Sequence, residues 1–159
     1  MILDTDEKWM REALKEAKKA YQSGEVPVGA VVVCEGQVIA RGHNQVELLQ
    51  DATAHAEMLA LSSAAASIGN WRLTGATLYC TLEPCIMCAG AMLLSRVKRL
   101  VWGAPDLRHG AHGSWVNIFS SPHPTHTLEI TTSVLEQECA HLMKEFFHVR
   151  RNQDTTAFG

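Results

Sequence analysis

Residues 76–94 read ATLYCTLEPCIMCAGAMLL, and they change period in the middle. From Ala76 to Leu82 the run is rich in β-formers, as a buried strand is. At Glu83-Pro84 it breaks, and Pro84 stands where prolines open helices. From Cys85 to Leu94 small and apolar residues continue as a helix. A strand feeding directly into a helix is half of an α/β unit, so this stretch predicts a sheet with helices packed on it. It also places two cysteines, Cys85 and Cys88, on one face of the first helical turn.

Working outward, Arg99 to Gly103 supplies the next strand. Upstream, Val28 to Cys34 and Gln37 to Gly42 form two strand-like runs around Glu35-Gly36, a pair suited to a tight hairpin. A helix from about Asp6 to Ser23 precedes them, with Trp9, Met10, Ala13, Leu14, Ala17, Ala20 and Tyr21 at helical spacing and Gly24 as its stop. Asn44 to Asp51 reads as a loop. Thr53 is then expected to cap a helix from Ala54 to about Ile68, ended by Gly69-Asn70. Leu128 to Thr131 is a last short strand, and Ser133-Val134-Leu135-Glu136 reads as a capping box opening a helix to about Arg151. The histidine- and glycine-rich segment from Ala104 to His126 shows no regular element. The expected fold is a three-layer α/β/α sandwich on a mixed five-stranded sheet, one domain over 1–159.

Composition sets the class. The 159 residues are 47% hydrophobic and 19% charged, with a net charge of −3. A chain of this length buries roughly 70% of its unfolded surface, enough for a core without disulfides. No run approaches the ~20 apolar residues of a membrane span, and the N-terminus lacks the pattern of a signal peptide. A cytoplasmic protein is expected. The five cysteines are odd in number and unsuited to a disulfide framework in a reducing compartment, so they are core residues or metal ligands.

His55-Ala56-Glu57 and, 26 residues later, Pro84-Cys85-Ile86-Met87-Cys88 each open a helix. One imidazole and two thiolates make three ligands. A structural zinc closes its shell with four, whereas a catalytic one leaves a position for water. Glu57 is better placed beside the metal than on it, where a carboxylate does general acid/base work. Alone, a His-x-Glu is ordinarily a surface pair and a Cys-x-x-Cys a turn or a redox motif. Two rivals are weighed, the first on the same cysteines and the second on other residues. Cys80, Cys85 and Cys88 have a C-x4-C-x2-C spacing found around iron–sulfur clusters, with Cys139 as a fourth ligand, which would make an electron carrier. His109 with His112 and His123 with His126 could form a histidine site, but solvated loop histidines are the expectation there.

In the order His-x-Glu, then Pro-Cys-x-x-Cys, these segments form a zinc-deaminase signature. The chain from Trp9 to Arg151 resembles the bacterial tRNA-specific adenosine deaminases of the TadA type, within the cytidine-deaminase-like fold. The resemblance is carried by Glu25-Val26-Pro27-Val28-Gly29-Ala30, Thr53 to Glu57, Thr81 to Met92, and Gly103-Ala104-Pro105-Asp106. It implies hydrolytic deamination of the wobble adenosine of a tRNA anticodon to inosine. His55, Cys85 and Cys88 would hold one zinc ion per subunit, and Glu57 would shuttle protons. Asn44, Val28, Ala56 and Asp106 would contact the flipped-out nucleotide or lie near the anticodon, and a homodimer is implied. Arg150 and Arg151, adjacent at a helix end, are the expected phosphate contacts. Free nucleoside and nucleobase deaminases acting on cytosine or guanine share the metal core and are the nearest alternative. Asp51-Ala52-Thr53 in place of Asp-Pro-Thr and Glu47 in a loop without basic residues depart from the family pattern.

Overall fold

Residues 2–157 are described by the computed structural model of the chain, with side chains described over 4–154. Met1, at the head of the N-terminal stretch read above, lies outside the described residues. The elements in order are α1 (Ile2–Gln22), β1 (Gly29–Cys34), β2 (Gln37–His43), α2 (Val46–Leu49), α3 (Ala56–Ile68), β3 (Thr77–Leu82), α4 (Ile86–Leu94), β4 (Arg99–Ala104), β5 (Glu129–Thr131) and α5 (Glu136–Ala157).

The five strands form one mixed sheet in the order β2-β1-β3-β4-β5. β1 runs antiparallel to both β2 and β3, while β3, β4 and β5 are parallel. Side-chain alternation divides the core in two. Val32, Leu78, Cys80, Leu100 and Trp102 face α3 and α4 with Ala56, Ala60, Ala64, Cys88 and Met92. Val31, Val33, Tyr79 and Val101 face α1 and α5 with Met10, Ala13, Leu14 and Cys139. Both faces of the sheet are covered, which is the expected three-layer sandwich.

Small residues let the layers approach. A Cβ at Gly29 would overlap the Ala13 carbonyl oxygen of α1, and one at Gly42 would overlap the Ala56 carbonyl oxygen of α3. The tie between α1 and the sheet is polar as well. Asp6, 2% exposed, accepts from the Tyr79 hydroxyl at 2.9 Å and takes both arms of the Arg99 guanidinium at 2.7 and 2.6 Å. Burial of an acid is tolerated here because a bidentate cation and a hydroxyl satisfy it.

Three local expectations are corrected. Thr53 does not cap α3: its backbone N–H and hydroxyl both bond Asp51 Oδ1 in a local turn, and His55 is the N-cap, in extended backbone. The Ser133 capping box does not form, because Ser133 and Leu135 both take left-handed backbone and a cap residue needs the β-region. The chain from Asn44 to Asp51 is not all loop, since Val46–Leu49 makes one helical turn closed by Gln50 in left-handed backbone. The Glu35-Gly36 hairpin and the Gly69 stop of α3 form as expected, both with the left-handed φ that such positions require.

Candidate active site

The N-termini of α3 and α4 meet, and each begins with a residue able to bind a metal. His55 is the N-cap of α3 and Cys85 the N-cap of α4, both in extended backbone; Cys88 lies one turn into α4 and is fully buried. His55 Nδ1 is 3.5 Å from Cys85 Sγ and 3.5 Å from Cys88 Sγ. All three donor atoms lie within 4.8 Å of one another. A tetrahedral zinc, with bonds near 2.3 Å to sulfur and 2.0 Å to nitrogen, sets such donors roughly 3.5 Å apart. The donor set therefore fits that ion in both chemistry and spacing.

The electrostatics agree. The Cys85 thiol is pushed down to about 4, chiefly by its hydrogen bond with the Cys88 thiol and also by His55, against the opposing cost of burial. Cys88 is pushed up by the same bond and by burial. A bound dication would need both sulfurs as thiolates. His55 is pushed up, mainly by its bond to Cys85.

Glu57, the second residue of α3, is 4% exposed, and burial pushes its carboxyl up. It stands outside the three-donor cluster and lines the cavity that opens above it. That cavity has a volume of about 800 Å³, and Val28, Asn44, His55, Ala56, Cys85, Asp106, Arg150 and Arg151 all border it. Of the site residues named from sequence only the fully buried Cys88 does not border the cavity, and it joins His55 and Cys85 in the donor cluster. Asn44 is buried and held from two sides: its Nδ2 donates to the Val26 carbonyl at 3.3 Å, and its Oδ1 accepts from the Val46 N–H at 3.4 Å. Asp106 Oδ1 accepts from the Arg108 and His109 N–H groups, both at 3.2 Å, which shapes its own loop.

Two buried carboxylates went unrecognised in the sequence. Glu25 accepts from the Glu47 and Leu48 N–H groups at 3.0 and 2.8 Å, fixing the turn of α2 at the cavity edge. Glu83 accepts from the N–H groups of Asp106, His112 and Ser114 at 3.2, 2.9 and 3.3 Å and from the Ser114 hydroxyl. A Cβ at Gly110 would overlap the Glu83 carboxylate, so the loop packs directly on it. The available signal was Leu82-Glu83-Pro84 itself. An acid inside an apolar strand end must be met by donors when buried.

The loop histidines keep access to solvent, as expected: His109 is exposed, and His112, His123 and His126 are half-buried, with His112 Nδ1 accepting from Trp102 Nε1 at 3.1 Å and His126 Nε2 bonding the Val97 carbonyl at 2.7 Å. Among the described residues neither histidine pair joins a metal-binding cluster. Cys80 and Cys139 pack in separate cores on opposite faces of the sheet, so the four-cysteine arrangement of an iron–sulfur protein is not assembled.

Residues 3–104 match the family model for the cytidine and deoxycytidylate deaminase zinc-binding region. The chain is 49% identical to a tRNA-specific adenosine deaminase of Bacillus subtilis over 152 residues, 96% of this chain and 94% of the relative. It is 50% identical to one of Haemophilus influenzae, covering 93% and 86%. A solved structure from work on A-to-I editing by tRNA:A34 deaminases at the wobble position superposes with a TM-score of 0.82 at 44% identity, over 85% of this chain and 98% of the other. A guanine deaminase from Nitrosomonas europaea aligns with a TM-score of 0.75 at 26% identity, over 88% and 83%.

Proposed function

The chain belongs to the zinc-binding cytidine and deoxycytidylate deaminase family, and on that premise we propose that it is a tRNA adenosine deaminase, converting the wobble adenosine of an anticodon loop to inosine with release of ammonia. The observation that carries the deaminase chemistry is the buried Glu57 carboxyl beside a three-donor His/Cys/Cys cluster at one open cavity, and the 49% identity to a tRNA-specific adenosine deaminase over 96% of the chain supports adenosine in tRNA as the substrate. His55, Cys85 and Cys88 hold the zinc, one per subunit. When bound, zinc supplies a water acidified enough to attack adenine C6 near neutral pH.

The chain's own residues do the rest. Glu57 takes one proton from that water and delivers it to adenine N1, then takes the second from the hydroxyl now on C6 and gives it to the departing amine, so both protons of the water end in the inosine N1–H and in ammonia. Its upward-pushed pKa suits a group that must both accept and return a proton. Asn44, held from both sides, orients the nucleotide, and Val28 and Ala56 flank the base. Asp106 sits on the loop at the cavity edge. A stacked base cannot present C6 at such a depth, so an unpaired, splayed loop is the substrate.

Arg108, Lys144, Arg150 and Arg151 border the same cavity and contact the phosphates of the anticodon stem-loop. A second copy of the chain covers the face between α3 and α4, where Trp71 and Leu94 are exposed around a groove of about 390 Å³. Residues 1–159 act as one catalytic domain. All five cysteines are free, and among the described residues no helix is long and apolar enough to cross a membrane. A cytoplasmic enzyme fits both facts.

The likeness to a guanine deaminase favours one other reading, a nucleobase deaminase with the same centre. Zinc analysis coupled to an inosine assay on an adenosine-containing anticodon stem-loop separates the two. One zinc per chain with inosine formation supports the tRNA enzyme. Zinc with turnover of free guanine alone supports the rival.

A further inference from the structure

The chain has four tryptophans, and three have partners. Trp102 is buried and donates to His112. Trp9 lies under Lys8 at 4.5 Å, and Trp71 under Arg72 at 4.3 Å. Trp115 differs. It borders the active-site cavity, it is 60% exposed, and among the described residues its indole makes no hydrogen bond, ring contact or cation contact.

Its backbone, by contrast, is fixed. The Trp115 N–H donates to the Gly110 carbonyl at 2.9 Å, and the residue before it, Ser114, is held through both N–H and hydroxyl by the buried Glu83. Glu83 in turn immediately precedes Pro84-Cys85, so the loop is tied to the segment that carries a metal-binding residue. A large aromatic ring is therefore presented at the mouth of the cavity from a rigid base, with Arg108, Lys144 and Arg150 on the same rim. An unpartnered aromatic plane next to cations is the arrangement by which proteins bind unpaired nucleotides, because every base has a face to stack. Rigid support matters here: with the backbone already fixed, only the two side-chain torsions of the tryptophan are left to order on binding.

We infer that Trp115 is a stacking platform for an unpaired base that neighbours the reacting adenosine in the anticodon loop. Stacking on one side of the target holds that base away from its neighbour and so favours the splayed loop that the cavity requires. This rests on the reading of the substrate as a tRNA anticodon loop. The platform acts on binding and leaves Glu57 and the zinc ligands untouched.

The test is a binding titration of fluorescently labelled anticodon stem-loop against the zinc-loaded protein, W115F and W115A. Companion stem-loops carry an abasic nucleotide immediately before or after the wobble position. W115A is expected to weaken binding of the intact loop about tenfold, within the range for one base stacked on an aromatic ring. W115F should keep most of the affinity. The W115A penalty should vanish on one of the two abasic loops, which identifies the stacked base. Zinc content and melting temperature should not move.

Equal affinities for the wild type and W115A overturn the inference, as does a penalty unchanged on both abasic loops. A failure of the wild type to bind any stem-loop overturns it too. Loss of dimer mass in W115A by sedimentation, with RNA affinity intact, assigns the ring to a second copy of the chain instead. Inosine formation is scored separately: the expected binding pattern without inosine sinks the proposed reaction and leaves the platform standing.

Discussion

At the scale of single residues, the division of labour between His55 and Glu57 is the sharpest commitment. Both belong to one three-residue segment, yet one joins the donor cluster and the other is buried beside it. Glu57→Ala is expected to abolish deamination while zinc content stays at that of the wild type. Zinc loss in that variant would make Glu57 a ligand. Cys85→Ser and Cys88→Ser are expected to lose metal and to lower the melting temperature, since the ion ties two helix starts together. Unchanged metal content in either would remove that cysteine from the site. The grouping of His55, Cys85 and Cys88 was legible because each residue type has few uses in that order. Glu83 and Glu25 were not legible, because a carboxylate that serves backbone N–H groups needs no partner at a recognisable spacing. It takes whatever donors the tertiary structure brings, such as the Asp106, His112 and Ser114 N–H groups.

At the scale of elements, the close approach of helix to sheet sets the geometry of the site. Gly29→Ala would drive a methyl group into the α1 backbone. It is expected to cost about 1–3 kcal/mol or more, as overpacking does, read as a lower urea midpoint with unchanged zinc stoichiometry. The Asp6–Tyr79–Arg99 link gives a pH dependence of stability. Burial, helped by the hydrogen bond to Asp6, pushes the Tyr79 phenol up from its usual value near 10. Its folded pKa exceeds its unfolded one, so its contribution is full below about pH 10 and falls as pH rises beyond that. Tyr79→Phe is expected to reduce the alkaline decline in melting temperature; an identical decline would mean the phenol plays no part. Most elements were readable from period and punctuation: α1 from its apolar stripe, the hairpin from Glu35-Gly36, α4 from the break at Pro84. The caps of α3 and α5 were misread for two physical reasons. Thr53 and Ser133 are cap-type residues by chemistry, but Thr53 is engaged by Asp51 and Ser133 is in left-handed backbone. Neither competition is visible in a four-residue pattern. The single turn of α2 was hidden because it depends on Glu25, more than twenty residues away, to satisfy its N–H groups.

At the scale of the whole molecule, a net charge of −3 must still accommodate a polyanion. The cations at the cavity rim make that local. Replacing Arg150 and Arg151 together by Ala is expected to weaken stem-loop binding and to flatten its salt dependence, by about 0.7 in log–log slope for each single-strand phosphate that the pair neutralises. An unchanged slope would return both to the solvated end of α5. The central claim is the identity of the base, which a His/Cys/Cys centre leaves open because adenine C6 and cytosine C4 can both meet the same nucleophile. The most direct test offers the zinc-loaded protein four substrates under one condition: a stem-loop with adenosine at the wobble position, the same loop with cytidine there, free adenosine and free guanine. The expected result is inosine in the adenosine stem-loop, with little product from the other three. Efficient conversion of free guanine, or uridine from the cytidine loop, with the adenosine stem-loop left intact, would contradict the account.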